Sequence, residues 1–142
     1  MPIEMFLDVN VIMYAAGESS EYKRSCVNVL HKVQRGDLKV VIDTEILEEL
    51  LYRYHSLRLR EEGVKLALYT LRLKPRVLSV TARDSEDSIH LYHKYMNEGV
   101  PPRDTLHLAV MLNNDIKKII TVDKHFEKVI REVERIDPKS LI

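Results

Sequence analysis

The sequence predicts an α/β domain: a mostly parallel central sheet of four to five strands with helices on both faces. Three observations carry this. Short apolar runs of strand length alternate with stretches of helical spacing along the whole chain. The runs are continuously apolar, as strands buried on both faces are. No internal repeat and no Gly- or Ser-rich linker divides the chain, so residues 1–142 are expected to form a single domain.

The elements follow in order. Residues 3–7, with Ile3, Met5, Phe6 and Leu7, are too short for a helix and stop at Asp8-Val9-Asn10. Residues 22–34 place Val29, Leu30 and Val33 on one side of a helix, and Gly36-Asp37 is a turn signal. Residues 38–42 are a second buried strand rich in β-branched side chains. Asp43-Thr44 can cap a helix over about 45–58, with Ile46, Leu47, Leu50, Leu51 and Tyr54 as its apolar stripe. Gly63 precedes another helix carrying Leu66, Ala67, Leu68 and Leu71, which Pro75 closes. Residues 77–80 are a third strand, and 81–97 read as a cap followed by a helix. Gly99 and Pro101-Pro102 end that helix and launch the next, over about 103–113. Residues 119–122 are a fourth apolar run, Asp123 starts a helix over about 124–130, and 133–136 can add a terminal edge strand.

A chain of 142 residues buries roughly two-thirds of its extended surface, enough for a core without staples. With 45% hydrophobic and 31% charged residues, four Gly and five Pro, it is neither disordered nor low-complexity. No apolar run approaches the roughly 20 residues that span a bilayer, so no membrane partner is expected. Met1-Pro2-Ile3-Glu4-Met5 lacks a basic leader, and the single cysteine, Cys26, excludes an internal disulfide framework and a Cys-rich zinc site. A reducing, cytoplasmic setting is the expectation.

Twenty-two basic and twenty-two acidic residues cancel, a total that does not suggest a nucleic-acid binder. The distribution is uneven, however. Residues 1–50 hold nine acidic and five basic groups, whereas 51–76 hold seven basic and two acidic.

In parallel α/β sheets, ligands bind at the carboxyl ends of the strands. Acidic groups recur at those places: Asp8 after the first strand, with Asn10; Glu45, Glu48 and Glu49 after the second; Asp104 in the helix opened by Pro101-Pro102; and Asp123 after the fourth. Each alone fits a helix cap or a solvated face. Converging, they could not all ionise without a cation, and oxygen ligands select a hard ion, Mg2+ or Mn2+. Carboxylates around one or two such ions suit phosphodiester hydrolysis. The chain has no GxxxxGK[ST] loop, no GxGxxG fingerprint and no GxSxG elbow.

Four segments together resemble the PIN-domain family. Phe6-Leu7-Asp8-Val9-Asn10-Val11-Ile12 is similar to its opening strand followed by Asp-x-Asn. Val41-Ile42-Asp43-Thr44-Glu45-Ile46-Leu47-Glu48-Glu49-Leu50 is similar to its strand leading into a helix that bears a Glu followed by Leu. Arg103-Asp104-Thr105-Leu106-His107-Leu108-Ala109 and Ile120-Thr121-Val122-Asp123-Lys124-His125-Phe126 resemble its RDxxHLA and TxDxxF segments. The resemblance implies a three-layer αβα fold and a Mg2+- or Mn2+-dependent endoribonuclease, like the toxin halves of VapBC pairs. It maps the metal ligands to Asp8, Glu49, Asp104 and Asp123, with Glu45 and Glu48 as alternatives to Glu49. Asn10 and Thr121 become groups that position water or ligands. A small antitoxin inserting a basic side chain and a homodimer are the implied partners.

The remaining residues read more plainly. His107 is expected to be a hydrogen-bonded structural histidine, His125 a surface residue, Cys26 a small core residue, and Asp84-Ser85-Glu86-Asp87 a helix start. Arg53, His55, Arg58, Arg60, Lys65, Arg72, Lys74 and Arg76, with Tyr52 and Tyr54, either form a solvated face or contact RNA, with Arg53, Arg58, Arg60 and Lys65 as the phosphate contacts. The other readings are a PIN protein of RNA processing, a non-catalytic RNA- or protein-binding PIN module, and a small-molecule phosphatase. The last is disfavoured because no Asp-x-Asp pair follows the first strand.

Overall fold

Continuous β-branched and aromatic runs fix the centre of the sheet. In the computed structural model, which describes residues 3–141, β1 (Glu4–Leu7), β2 (Lys39–Asp43), β3 (Arg76–Leu78), β4 (Lys118–Ile120) and β5 (Glu134–Ile136) form one five-stranded sheet in the order β3-β2-β1-β4-β5. Every pairing is parallel, with Phe6 beside Val41 on one side and Ile119 on the other. Phe6, Leu7, Val41, Ile42, Ile119 and Ile120 are fully buried, as central strands covered on both faces must be. The edge strands β3 and β5 are partly exposed and only three residues long, which limits edge-to-edge pairing.

The helices are α1 (Val9–Ala16), α2 (Lys23–Gln34), α3 (Thr44–Ser56), α4 (Arg60–Arg72), α5 (Ala82–Tyr95), α6 (Pro102–Asn113) and α7 (His125–Lys128). The strand order runs outward from β1 to β3, then jumps back across the sheet to β4 and on to β5. Right-handed crossovers therefore put α1–α4 on one face and α5–α7 on the other. The packing agrees: α1 lies against α2 and α3, α3 against α4, and α5 against α6. The reversal opens a crevice between the carboxyl ends of β1 and β4, where α/β sheets of this kind take ligands.

Several expectations are corrected. Residues 9–16, which periodicity leaves unassigned beyond a short helix that Asp8 could cap, form α1. Its sequence, with Asn10 the one strongly polar residue among Val, Ile, Met, Tyr and Ala, carries little helical periodicity; the Asp8 side chain, accepting from Val9 N, caps its start. The expected helix over 124–130 shrinks to four residues, and the fourth strand ends at Ile120, leaving Thr121 and Val122 in the following loop. Thr81 and Asp84 form a reciprocal capping box, so the 84–87 cluster does open α5.

Gly63 does not precede a helix; it lies inside the first turns of α4. A Cβ there would sit 2.7 Å from Cβ of Tyr54, so glycine permits α3 and α4 to approach. Ala normally favours a helix by about 1 kcal/mol over Gly. Here the overpacking dominates: Gly63→Ala is expected to lower stability by roughly 1–3 kcal/mol in urea unfolding, and a rise in the midpoint would contradict the packing argument.

Candidate active site

The site is built from three hydrogen-bonded parts at the β1/β4 crevice. In the first, Asp8 ends β1 in an extended conformation that caps α1. Its Oδ1 accepts from Val9 N at 2.7 Å, and its Oδ2 accepts from the Thr121 hydroxyl at 2.7 Å and Asn10 Nδ2 at 3.3 Å. The Thr121 hydroxyl also accepts from Asn10 Nδ2 at 2.9 Å and Asp123 N at 3.0 Å, which uses its full capacity. Asn10 Oδ1 in turn accepts from Val122 N at 3.2 Å. Asn10 and Thr121 thus join the two strand ends and hold the Asp8 carboxylate. Behind them the largely buried Arg135 donates to the carbonyls of Thr121 and Val122 at 3.1 and 3.2 Å and pins the loop that carries Asp123.

The second part centres on His107, which is buried on α6. Its Nδ1 lies 2.7 Å from Asp43 Oδ2 and its Nε2 3.3 Å from Glu49 Oε1. Asp43 uses its other oxygen to cap α3 through Ile46 N, so the residue that starts the helix also anchors the histidine that holds Glu49 on that helix. Glu49 Oε2 accepts from Arg53 at 3.1 Å and lies 3.8 Å from Arg103 Nη1. Of the three glutamates on this helix, Glu49 is buried, Glu48 is exposed, and Glu45 faces Arg103 at 3.6 Å. The structure therefore turns Glu49, and neither of the others, toward Asp8 and His107.

The third part joins Asp104, Asp123 and His125, each of which offers a donor atom within 4.8 Å of the others. Asp104 sits in the first turn of α6, where the helix dipole favours a negative charge. Its Oδ2 and the His125 Nδ1 are both buried with no hydrogen-bond partner. His125 lies at the surface as expected from sequence, with 37% of its side chain exposed, but its Nδ1 turns inward toward Asp123 and Asp104. His107 is the buried, hydrogen-bonded histidine expected; that Asp43 and Glu49 are its partners, and that Arg103 flanks them, is visible only in the structure. Asp43 and His107 stand 64 positions apart and no local spacing links them; only the fold could.

The basic stretch is split by the fold. Arg53 borders the site through Glu49, while Arg58 and Arg60 line an open depression with Tyr52, His55 and Ser56 further along the α3–α4 connection. Lys65 lines a separate, apolar groove with Leu57, Leu59 and Leu66. Arg76 pairs with Glu4 at 2.7 Å, at the amino edge of the sheet and away from the crevice.

Electrostatics follow from this crowding. Burial, then repulsion from Asp8 and Asp123, pushes the Asp104 carboxyl up to about 8. Burial also raises Asp8, against the opposing charge of His107 and the Thr121 hydrogen bond. Burial disfavours charge on His107, but its bonds to Asp43 and Glu49 outweigh that and lift it to about 10, so both ring nitrogens donate as an imidazolium. Burial works against Glu49 ionising as well, yet His107, Arg53 and Arg103 hold its carboxyl below the usual range.

In metal-free protein the fold binds a proton at Asp104 that the unfolded chain gives up near pH 4. Its stabilising contribution is complete below that pH and is lost as pH rises through about 8, so stability should fall between these limits. Melting temperatures in EDTA are expected to decrease from pH 5.5 to 8.5. Excess Mn2+ or Asp104→Asn should flatten the decline, and an unchanged slope in that variant would refute the assignment.

Comparison with known proteins places this arrangement. Residues 5–132 match the family model described as PIN domain. Ribonuclease VapC13 of Mycobacterium tuberculosis is 28% identical over 123 residues, covering 87% of this chain and 92% of the relative. Ribonuclease VapC23 of the same species is 29% identical over 128 residues, covering 89% and 98%. Among solved structures, VapC20 of M. tuberculosis, a sarcin-ricin loop cleaving toxin, superposes with a TM-score of 0.71 at 16% identity over 84% of this chain and 90% of that one. The VapBC2 complex of Rickettsia felis, bound to a promoter DNA fragment, gives 0.70 at 16% identity over 94% and 98%. The fold, the acidic crevice and the match over nearly the whole chain agree: the protein belongs to the PIN-domain family.

Proposed function

We propose that the protein is a metal-dependent endoribonuclease, the toxin half of a VapBC-type pair. The carrying observation is the convergence of Asp8, Asp104 and Asp123 at one crevice, with Asp104 raised to about 8 and one of its oxygens buried without a partner. Such a set fits a divalent cation: it is oxygen-rich, acidic and preformed. Asp8, Glu49, Asp104 and Asp123 are the carboxylates assigned to hold Mg2+ or Mn2+. When bound, such an ion supplies Lewis acidity, polarising the phosphodiester and easing proton loss from the attacking water.

The chain's own residues do the rest. Asn10 and Thr121 fix the Asp8 carboxylate, and Arg135 fixes the loop beneath it. Asp43 and His107 fix Glu49. Arg53, Arg58 and Arg60 are the assigned phosphate contacts, leading away from the carboxylates along α3; Lys65 faces another groove and is set apart from them. Relatives named as ribonucleases and structural neighbours that are toxin–antitoxin complexes support the reading. A small antitoxin is the proposed partner, its basic side chain entering a crevice that attracts cations when metal-free, and a homodimer the proposed assembly. Among the described residues no helix is long and apolar enough to cross a membrane.

Two experiments test this. Purified protein should cleave single-stranded RNA with Mg2+ or Mn2+, EDTA should abolish cleavage, and Asp104→Asn should reduce it at least about a hundredfold, since a metal ligand and the proton site are removed together. Full cleavage by that variant would overturn the assignment. Arg58 adopts a left-handed conformation with φ 61°, which glycine takes without strain. Arg58→Gly is therefore expected to hold or raise the melting temperature while lowering the salt dependence of RNA binding by about one counterion. Unchanged binding would remove Arg58 from the RNA path.

A further inference from the structure

We propose that His125 is a nitrogen ligand of this site. With Asp104 and Asp123 it forms a three-donor set that favours Mn2+ over Mg2+. This rests on the metal-site reading above and goes beyond it, because that reading assigns carboxylates only.

The backbone at His125 is fixed from two sides. Its backbone N–H donates to Asp123 Oδ1 at 2.8 Å, and the next residue, Phe126, is buried in the core. The backbone is thereby fixed at the crevice, and the ring, with 37% of the side chain exposed, places Nδ1 3.1 Å from Asp123 Oδ1 and 3.7 Å from Asp104 Oδ2. Neighbouring donors on an octahedral ion with bonds near 2.1 Å lie about 3 Å apart, and opposite donors about 4.2 Å. The observed separations, all within 4.8 Å, fall around that range.

Two buried atoms point to an absent partner. His125 Nδ1 lies close to Asp123 Oδ1 but makes no hydrogen bond, and Asp104 Oδ2 makes none either. Buried polar atoms are nearly always satisfied. One cation would satisfy both: it takes the Asp104 lone pair and the Nδ1 lone pair of the tautomer that carries its proton on Nε2. His107 cannot serve in this way, because both its nitrogens are engaged by Asp43 and Glu49. Carboxylate and water suit Mg2+, whereas an imidazole nitrogen shifts preference toward transition metals.

The test uses the intact protein, stripped of metal and titrated with MnCl2 or MgCl2 alone. Electron spin-echo modulation of the Mn2+ form is expected to show directly coordinated 14N, and the signal should vanish in His125→Ala. Calorimetry should show Mn2+ affinity falling at least about tenfold in that variant, with Mg2+ affinity changed much less. Mn2+ bound by the unmodified protein without nitrogen coupling overturns the proposal, a result that does not depend on how any variant folds. Coupling that survives in folded His125→Ala overturns it as well. Failure of the unmodified protein to bind Mn2+ at all would overturn the metal-site reading together with this one.

Discussion

The crowding of Asp8, Asp104 and Asp123 in a largely buried crevice is the constraint on which the rest of the structure depends. Burial and mutual repulsion both oppose ionisation there. The fold answers with fixed partial and full charges. Asp8 receives a backbone N–H and the Thr121 hydroxyl, Asp104 sits at the positive end of α6, and the His107 imidazolium lies close enough to favour ionised carboxylates at both. These stop short of full compensation, since one oxygen of Asp104 remains without a partner. A site left anionic and underpaired in this way stores affinity for a cation in a geometry that exists before the cation arrives.

Sheet topology makes the convergence possible. The chain reverses direction across the sheet between β3 and β4, so the loops after β1 and β4 diverge toward opposite helical layers. The crevice between them receives Asp8 from one loop and Thr121 and Asp123 from the other, while α6 enters with Asp104 at its first turn. Residues outside the crevice keep it in register. Arg135 on the edge strand β5 ties down the β4 loop, and Asp43 at the end of β2 both starts α3 and holds His107. A side chain that caps a helix and grips a second helix couples two layers through one carboxylate.

Most of the sheet and the acidic positions were legible because each depends on local pattern. Buried parallel strands are continuous apolar runs, and carboxylates after them can be read without knowing what lies beside them. Where the pattern is ambiguous, the local sequence underdetermines the structure for identifiable physical reasons. The run 9–16 has Asn10 as its one strongly polar residue, so periodicity hardly marks α1 as helical. Gly63 looks like a breaker but serves close helix packing against Tyr54. The Asp43–His107–Glu49 chain was illegible because its contacts join distant segments, although the capping role of Asp43 was visible. His125 is partly exposed, as the sequence suggests, but the approach of its Nδ1 to Asp104 joins separate segments and no local pattern carries it.

The net charge of zero acquires a different meaning once the residues are placed. The basic stretch 51–76 does not form one field opposite the acidic crevice: Arg53, half exposed, also bonds Glu49, Lys65 turns to an apolar groove, and Arg76 pairs at the far edge of the sheet. The cations that matter to the crevice are few and close, namely His107, Arg53 and Arg103, and all three act on Glu49. Glu49 is therefore held ionised by the protein itself, while Asp104, whose neighbours are mainly carboxylates, is not. The two halves of the site differ in kind. One is a charge already compensated from within, which positions; the other is uncompensated, and it is there that a bound cation has the most electrostatic energy to gain.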